Sequence, residues 1–201
     1  MKTWAVINQK GGSGKTTIAL HLATHAQSIG IRTAVIDADP QQSAERWAVL
    51  RDDDEPRVVS AIVPDLAKVL RSLNVELAII DTSPRANRDL LDVAAKVDLI
   101  IMPVRPSILD IPALADTLKI IEGKRAVIVL NAVATRTGEG DEAAAILAGT
   151  GAVLAERLGE RVEFRRALTG GLGITEYAPK SKAALEMTAL FNALWSRTDD
   201  R

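Results

Sequence analysis

The stretch KGGSGKTT at residues 10–17 decides the fold, because it separates a strand-like run from a helix-like run. The run before it, WAVI at residues 4–7, is apolar throughout, and the run after it, IALHLA at residues 18–23, has good helix formers and no breaker. Glycines let the backbone between them bend so that successive N–H groups point into one concavity, and the helix start adds further unpaired N–H groups. A strand, a glycine-rich bend and a helix in this order predict a phosphate-binding loop.

The side chains of this loop have separate predicted roles. We expect Lys15 to reach the β- and γ-phosphates of a nucleoside triphosphate as a mobile charge, and Thr16 to offer its hydroxyl to Mg²⁺. The usual pattern, GxxxxGKT, starts with glycine, but this chain has Gln9 there and a second lysine, Lys10, directly after it. A flexible glycine-rich turn is the alternative for the loop, and a solvated surface lysine is the alternative for Lys10. The loop residues expected to contact the nucleotide are Gly11, Gly12, Ser13, Gly14, Lys15, Thr16 and Thr17.

The composition describes a globular protein with few options for metal or disulfide chemistry. The chain has 201 residues, 47% of them hydrophobic, and a net charge of −1, so we expect a sizeable core and no strongly basic surface overall. It has no cysteine, which excludes disulfides, cysteine-ligated zinc and iron–sulfur clusters, and its two histidines argue against a histidine metal site. The first strand begins too early for a signal peptide and no apolar run is of membrane-spanning length, so we expect a cytoplasmic protein.

Strand-like and helix-like runs alternate along the whole chain. Strands are expected at residues 4–7, 33–36, 58–63, 76–80, 98–103 and 126–131, with a last candidate at 161–164. Helices are expected from residue 18, then at 43–50, 65–73, 88–97, 112–121, 141–158 with an interruption at 149–151, and 181–197. The glycines at 170, 171 and 173 predict a mobile loop. Because strands that are apolar from end to end belong to covered parallel sheets, we predict an α/β fold: one domain over residues 1–201, with a mostly parallel sheet and helices on both faces.

Three aspartates stand where predicted strands end, which is where ligands bind in folds of this class. Asp81 follows the apolar run at 78–80, the pattern of a Walker B aspartate that holds Mg²⁺, usually through water. Asp37 and Asp39 end a neighbouring strand two residues apart, so both side chains point the same way in extended chain. Pro40 favours extended geometry at Asp39, whose carboxylate can then orient a water near the γ-phosphate. The alternative for each aspartate is a turn or a helix cap.

These motifs resemble those of the ParA/MinD-type ATPases, the branch of the P-loop NTPases with a deviant Walker A motif. The matching stretches are residues 10–17, DADPQ at 37–41 and IDTSP at 80–84, with weaker matches at MPV 102–104, LN 130–131 and KAALE 182–186. The small size, the lack of an N-terminal helix-turn-helix extension and the QQSA segment at 41–44 with Trp47 are similar to the short ParA proteins of plasmid partition. One departure is TSP at 82–84, where many relatives have two prolines.

The resemblance implies an ATPase that uses Mg²⁺, with a P-loop NTPase fold and an ATP-dependent homodimer. In the family, ATP brings two protomers together face to face, and the residue matching Lys10 reaches the partner's phosphates, where it offsets the repulsion between two opposed triphosphates. Asp39 matches the family's hydrolysis aspartate, and Asn131 a residue near the adenine. The catalytic candidates are Lys10, Lys15 and Asp39. The metal candidates are Thr16, Asp37 and Asp81.

The resemblance also implies slow hydrolysis that a partner protein accelerates, and sequence-independent DNA binding by the ATP-bound dimer. In partition systems the partner is a centromere-binding protein of ParB or ParG type. Between residues 157 and 182 six basic residues stand against three acidic ones, and a solvated charged face is the alternative to a DNA surface there. The best DNA candidates are Arg165, Arg166, Lys180 and Lys182.

The function that these expectations favour is partition of plasmid or chromosomal DNA by an ATPase that is nucleoid-associated when ATP is bound. The alternatives are a ParA-like ATPase that positions a protein cargo on the nucleoid and a MinD-like positioning ATPase. A MinD-like protein would use a C-terminal amphipathic helix with a basic polar face to bind membranes. We expect the helix at 181–197 to dock on the core instead, because the tail RTDDR at 197–201 mixes both signs of charge. No membrane partner is therefore expected.

Overall fold

The computed structural model describes residues 1–83, 87–107, 111–135 and 137–199 of the chain. Its strands are β1 (Lys2–Val6), β2 (Thr33–Ala38), β3 (Arg57–Ser60), β4 (Leu77–Thr82), β5 (Leu99–Val104) and β6 (Ala126–Leu130). They form a six-stranded sheet in the order β3-β2-β4-β1-β5-β6, in which every pair of neighbours is parallel. Pro84, the last residue of the motif at 80–84, lies outside the described residues.

Burial explains why these segments form strands. Every residue of β4 and β5 is buried, as are all but one residue of β1 and of β2. Side chains at alternate positions of a strand point to opposite faces, so strands that are apolar throughout need cover on both faces. Two separate apolar cores supply it, one on each face of the sheet.

The helices lie on both faces of the sheet. Their bounds are α1 (Lys15–Ser28), α2 (Ser43–Val49), α3 (Leu66–Ser72), α4 (Asn87–Ala94), α5 (Ile111–Ile120), α6 (Glu139–Leu147), α7 (Val162–Thr169), α8 (Ile174–Tyr177) and α9 (Lys182–Asp199). Helices α1, α2, α7, α8 and α9 contribute to the core on one face, and α3 to α6 contribute to the core on the other. The predicted α/β fold with a parallel sheet between two helical layers is confirmed.

Helix α9 packs its apolar side on the core, as its sequence predicts. Leu190, Phe191 and Leu194 are buried, and the centroid of the Phe191 ring lies 5.6 Å from those of Trp4 and Trp195. Within the described ranges, no helix combines the length and the hydrophobicity needed to cross a bilayer.

The segment predicted as a last strand is helical. Helix α7 covers it because Phe164 and Ala167, three positions apart, are buried on one side while Arg165 and Arg166 remain exposed. A three-residue spacing between buried positions is typical of a helix, whereas buried and exposed positions would alternate along a strand.

The helix predicted over residues 141–158 is also shorter than expected. Helix α6 passes at residue 148 into a 3₁₀ turn (Ala148–Thr150), and Gly151 then adopts a left-handed φ of 64°, which ends the helix. The chain does not return to a helix after this interruption. It runs beside β6 instead, where Val153 pairs with Ile128. The third strand also ends earlier than predicted, at Ser60.

The glycines at 170, 171 and 173 allow close packing, and the prediction of a mobile loop is wrong. A β-carbon on Gly171, which has a left-handed φ of 69°, would lie 2.4 Å from the carbonyl oxygen of Leu50. A β-carbon on Gly173 would collide with the hydroxyl of Thr24 on α1. The segment between α7 and α8 is therefore held against α1 and the end of α2.

His21 joins three helices in the interior. The Ile174 N–H donates to Nδ1 of His21 at 3.0 Å, so Nε2 carries the proton and donates to the Phe164 carbonyl at 3.1 Å. The side chain is fully buried, and this burial lowers the pKa of His21 to about 4. The neutral ring thus ties α1, which starts at the phosphate-binding loop, to α7 and α8.

This buried histidine predicts a measurable loss of stability in mild acid. Its pKa is lower in the folded protein than in the unfolded chain, so the unfolded state binds more protons as the pH falls below about 6.5. Between pH 7 and pH 5 the His21 term should lower the free energy of unfolding by about 2 kcal/mol. The measurement is urea unfolding without nucleotide at both pH values, for the wild type and for His21→Gln, which can keep both hydrogen bonds without titrating.

The comparison with His21→Gln is needed because Asp81 changes the free energy of unfolding with pH in the opposite direction to His21. The pKa of Asp81 is raised to about 7, so its contribution favours the folded state as the pH falls. That term is present in both proteins and cancels in the difference between them. An identical pH dependence in the two proteins would show that His21 does not titrate as described.

Candidate functional site

Three strand ends meet at the start of the glycine-rich loop. Val6, the last residue of β1, lies opposite Asp81 on β4, and Asp81 lies opposite Asp37 on β2. Strand β1 runs directly into the loop at residues 10–17, and α1 begins at Lys15. The structure therefore brings together the loop and the carboxylates that the sequence placed at strand ends.

Two glycines of the loop have backbone angles that other residues adopt poorly. Gly12 has φ 75°, and Gly14, the residue before the first turn of α1, has φ 95°. The Asn131 side chain closes on this turn: its Nδ2 donates to the Ser13 carbonyl at 2.8 Å. A β-carbon on Gly14 would lie 2.3 Å from the same Nδ2. Asn131, expected from the resemblance to lie near an adenine, thus also fixes the shape of the loop.

Asn8 holds the other end of the loop, and sequence reasoning missed it. Its Nδ2 donates to the Pro103 carbonyl at 2.6 Å, and its Oδ1 accepts from the Lys10 N–H at 2.8 Å. The side chain is buried, so both hydrogen bonds are shielded from water. An asparagine directly after an apolar strand was the available signal.

The Thr16 hydroxyl and the Asp81 carboxylate form the centre of the site. Thr16 Oγ1 donates to Asp81 Oδ2 at 2.6 Å, while Asp81 Oδ1 is buried and has no hydrogen-bond partner among the residues that the structure describes. Burial is the main cause that raises the pKa of Asp81 to about 7. The hydrogen bond from Thr16 lowers this pKa, and the negative charges of Asp37 and Asp39 also raise it. Lys15 is only 7% exposed, and burial lowers its pKa while Asp81 and Asp39 raise it.

The residues present fit a Mg²⁺ ion. A buried carboxylate oxygen without a donor, next to a threonine hydroxyl, is the hard oxygen environment that this ion prefers. No group of three or more histidine, cysteine or acidic side chains able to hold a metal occurs in the described part of the chain. The protein would therefore supply few ligands, with phosphate and water oxygens completing the shell, as is usual for Mg²⁺. Thr16 and Asp81 are the residues that would hold it.

Asp37 caps helix α2. Its Oδ2 accepts from the N–H groups of Ala44 and Glu45 at 2.9 and 3.0 Å, and its Oδ1 accepts from the Asp39 N–H at 3.1 Å. The residue at the N-cap position, Gln42, makes no side-chain capping bond, so Asp37 supplies it. The helix cap that the sequence left open as an alternative is thus present, and a place in the Mg²⁺ shell for Asp37 stays a prediction.

Asp39 lies at the edge of the site. It follows the last residue of β2, it accepts from the Gln41 N–H at 2.9 Å, and its charge acts on Lys15 and Asp81. It is not buried. This position next to the loop allows a carboxylate to contact a water from the solvent side.

A groove of about 610 Å³ adjoins the loop and runs between α2 and α7. Gly12, Thr16 and Thr17 form one end of it, and Asn131 lies on its wall. The groove also has four arginines along its lining, of which sequence reasoning missed the first two: Arg46, Arg105, Arg161 and Arg165. The groove thus offers positive charge next to a phosphate-binding loop.

The basic cluster between residues 157 and 182 is partly neutralised. Arg157 pairs with Asp141 at 2.6 Å, and Arg161 pairs with Glu186. The four predicted DNA contacts are exposed and make no ion pair with the residues that the structure describes: Arg165, Arg166, Lys180 and Lys182. The first two lie on one helix, α7, whereas Lys182 is the first residue of α9 and Lys180 lies in the turn before it.

Comparison with known proteins shows the family and several proteins to which this chain is similar. Residues 4–174 match the CobQ/CobB/MinD/ParA nucleotide binding domain family. The chain is 26% identical over 198 residues to maintenance of carboxysome distribution protein A from Halothiobacillus neapolitanus, covering 92% of this chain and 91% of the relative. It is 29% identical over 125 residues to protein ParA from Rhizobium radiobacter, covering 60% of this chain and 56% of that protein. A solved complex of a Cyanothece McdA variant with ATP has the same fold, with a TM-score of 0.78 at 16% identity, covering 97% of this chain and 96% of that one.

The loop geometry predicts different effects for two glycines. Gly14→Ala should weaken ATP binding at least about tenfold, because a left-handed φ costs roughly 1–2 kcal/mol for other residues and the new methyl group would displace Asn131. Gly149→Ala is the control, because Gly149 lies outside the loop, has no left-handed φ and has nothing within 4 Å of its β-carbon position. Calorimetric titration with ATP and Mg²⁺ should find Gly149→Ala within about threefold of the wild type. Equal affinities of Gly14→Ala and the wild type would contradict this description of the loop.

Proposed function

Since the chain belongs to the CobQ/CobB/MinD/ParA nucleotide-binding family, we propose that it is a ParA-type ATPase that partitions DNA. The observation that carries the proposal is the pairing of Thr16 at the start of α1 with the buried Asp81 carboxylate, beside a loop whose glycines are left-handed. This arrangement suits ATP with Mg²⁺. The solved McdA complex, which has the same fold, contains ATP.

The loop and α1 would bind the phosphates. N–H groups of the loop and of the first turn of α1 would donate to phosphate oxygens, and the N-terminal end of α1 favours negative charge. Lys15 is nearly buried and would reach the β- and γ-phosphates, while Thr17 lies beside it at the end of the groove. Mg²⁺, when bound, neutralises charge on the phosphate oxygens. Thr16 and Asp81 would orient it.

Asp39 would position the attacking water. Its carboxylate is partly exposed, and its charge acts on both Lys15 and Asp81, which supports a role near the phosphates. A carboxylate there can accept a hydrogen bond from a water and align it with the γ-phosphate. One carboxylate without further groups is a weak catalyst. We therefore expect slow hydrolysis that an activator protein accelerates.

Lys10 would connect two copies of the protein. It stands at the opening of the loop, where its backbone N–H is fixed by Asn8 and its side chain is partly exposed. Two ATP molecules facing each other across an interface would repel strongly where water is scarce, and a lysine from each protomer offsets that repulsion. The homodimer therefore depends on the triphosphate.

The dimer would bind DNA through its basic residues. Arg165 and Arg166 on α7, with Lys180 and Lys182, are exposed, and dimerisation doubles their number. Phosphate contacts add through counterion release, so a dimer can bind DNA usefully where a monomer binds negligibly. The protein would be cytoplasmic and nucleoid-associated with ATP, and a centromere-binding protein of ParB or ParG type would trigger its release.

A second candidate function is the positioning of a protein cargo on the nucleoid. The relative named for carboxysome distribution is similar over 91% of its own length, whereas the ParA relative is similar over 56% of its length. Both functions use the same ATP-dependent switch. They differ in whether the activator protein is attached to DNA or to a protein assembly, so identification of the activator separates them.

Two variants should separate ATP binding from dimerisation and from hydrolysis. Lys10→Ala should bind ATP and remain a monomer, because only the contact with the partner's phosphates is removed. Asp39→Ala should bind ATP, dimerise and hydrolyse at least about 100-fold more slowly, because the water loses its base. Sedimentation with ATP, ADP and no nucleotide, together with phosphate release, measures both. A Lys10→Ala protein that dimerises like the wild type, or an Asp39→Ala protein with wild-type turnover, would refute the role given to that residue.

The DNA surface predicts a change in salt dependence. Replacing both Arg165 and Arg166 by alanine should weaken DNA binding by the ATP-bound protein and lower the slope of log affinity against log salt by about one for each phosphate that is no longer neutralised. The matched control replaces Lys68 and Arg71, which are exposed on α3 at the opposite face of the sheet. Fluorescence anisotropy with a non-hydrolysable ATP analogue provides the titrations. A slope that changes equally in both double variants would mean that α7 is not the DNA surface.

A further inference from the structure

Glu186 on α9 makes three hydrogen bonds that end at the wall of the groove. Its Oε2 accepts from the Gly159 N–H at 3.0 Å and from Arg161 Nε at 3.0 Å, and its Oε1 accepts from Arg161 Nη2. The pair is partly shielded, with the two side chains 19% and 25% exposed. A two-pronged arginine–carboxylate contact fixes both partners in orientation as well as in distance.

Gly159 lets the Arg161 side chain pack closely at this contact. A β-carbon there would lie 3.1–3.2 Å from atoms of the Arg161 guanidinium group, which folds back over the glycine. The glycine is followed by Glu160, whose N–H donates to the Val133 carbonyl at 2.8 Å. The Val133 N–H donates in turn to the Leu158 carbonyl at 3.0 Å.

These bonds connect α9 to the phosphate-binding loop. The segment at 158–161 is paired with residue 133, two positions after Asn131, and Asn131 donates to the Ser13 carbonyl in the loop. Gly159, Glu160, Arg161 and Asn131 all line the groove. The groove adjoins the loop and has space for the sugar and base of a nucleotide whose phosphates occupy the loop.

We propose that Glu186 is a positioning residue for the nucleoside half of the bound nucleotide. It acts through Gly159 and Arg161, whose segment forms the groove wall beyond Asn131, and it does not contact the phosphates. This inference rests on the proposed function, since it requires a nucleotide in the groove. It gives the KAALE segment at 182–186 a role in the site although α9 is distant in sequence from the loop.

Loss of Glu186 should not undock α9. The helix is anchored by Leu190, Phe191 and Leu194, which are buried in the core. Replacement of Glu186 by glutamine keeps the shape of the side chain but removes its charge and one acceptor oxygen. The wall segment then loses its orientation while the core keeps its packing.

The chain contains a matched control in Glu176. It also binds an arginine through both oxygens, Arg51 at 2.9 and 2.6 Å, accepts from a glycine N–H, that of Gly173 at 2.6 Å, and is 25% exposed. Neither Glu176 nor Gly173 lines the groove. Glu176→Gln should therefore lower stability about as much as Glu186→Gln does and leave nucleotide affinity within about twofold of the wild type.

The experiment measures the dissociation constants of ATP, ADP and inorganic tripolyphosphate with Mg²⁺ by calorimetry for the wild type, Glu186→Gln and Glu176→Gln. Glu186→Gln should raise the dissociation constants of ATP and ADP about tenfold, because the groove wall that would contact the nucleoside is disturbed. It should change the dissociation constant of tripolyphosphate less than about twofold. Glu186→Asp, which keeps the charge on a shorter side chain, is the second variant and should show the same split between ATP and tripolyphosphate.

Three outcomes would overturn the inference. They are an equal loss of ATP and tripolyphosphate binding, unchanged binding of both in folded Glu186 variants, and an equal loss of ATP binding in Glu176→Gln. A wild-type protein that binds neither ATP nor tripolyphosphate would overturn the proposed function itself, and this inference with it. Wild-type binding that Glu186→Gln leaves unchanged overturns the inference alone.

Discussion

The buried charge of Asp81 is the constraint around which the rest of the site is arranged. A carboxylate removed from water is costly unless donors or a cation compensate it, and here one oxygen has only the Thr16 hydroxyl while the other has no described donor. Lys15 offsets part of the charge, but its own burial weakens its positive form. The protein alone therefore leaves this site short of positive charge. Thr16 and Asp81 would hold a Mg²⁺ ion together with a bound triphosphate, and the ion would supply positive charge at this site.

Three aspartates with similar sequence contexts have three different environments. Asp81 is fully buried at the centre of the sheet edge, whereas Asp37 has its carboxylate occupied by N–H groups at the start of α2. Asp39 alone is accessible to solvent next to the loop. A metal ligand needs a buried free oxygen, and a group that aligns water needs access to water. Burial and hydrogen bonding thus distinguish three aspartates that the strand-end positions leave equivalent, and they support the roles proposed for Asp81 and Asp39.

The elements that could be predicted from the sequence are those in which a local pattern of residues is compatible with one structure only. Apolar strands need cover on both faces, so the parallel sheet and the meeting of the loop with Asp81 followed from the pattern alone. Asn8 was missed, and the KAALE match at 182–186 carried no predicted role for Glu186, because the partners of both residues are distant in sequence: Pro103 is 95 residues away from Asn8, and Arg161 is 25 away from Glu186. The segment at 161–164 was assigned to a strand because four residues are too few to distinguish a three-residue spacing from alternation. The hydrogen bonds of Asn8 and Glu186 and the helix at 162–164 depend on tertiary contacts that the local sequence does not contain.

The position of α7 links the nucleotide to the proposed DNA surface. His21 on α1 holds the Phe164 carbonyl, and the next residue along the chain, Arg165, lies at the rim of the groove. A triphosphate bound in the loop therefore adds negative charge to the groove that Arg165 also lines, and charges closer than a Debye length of about 10 Å are only partly screened. In a single protomer, ATP should weaken the attraction between α7 and DNA rather than strengthen it. ATP can therefore favour DNA binding only through dimerisation, which doubles the number of exposed basic residues in the proposed dimer. Each additional phosphate contact multiplies the equilibrium constant for DNA binding.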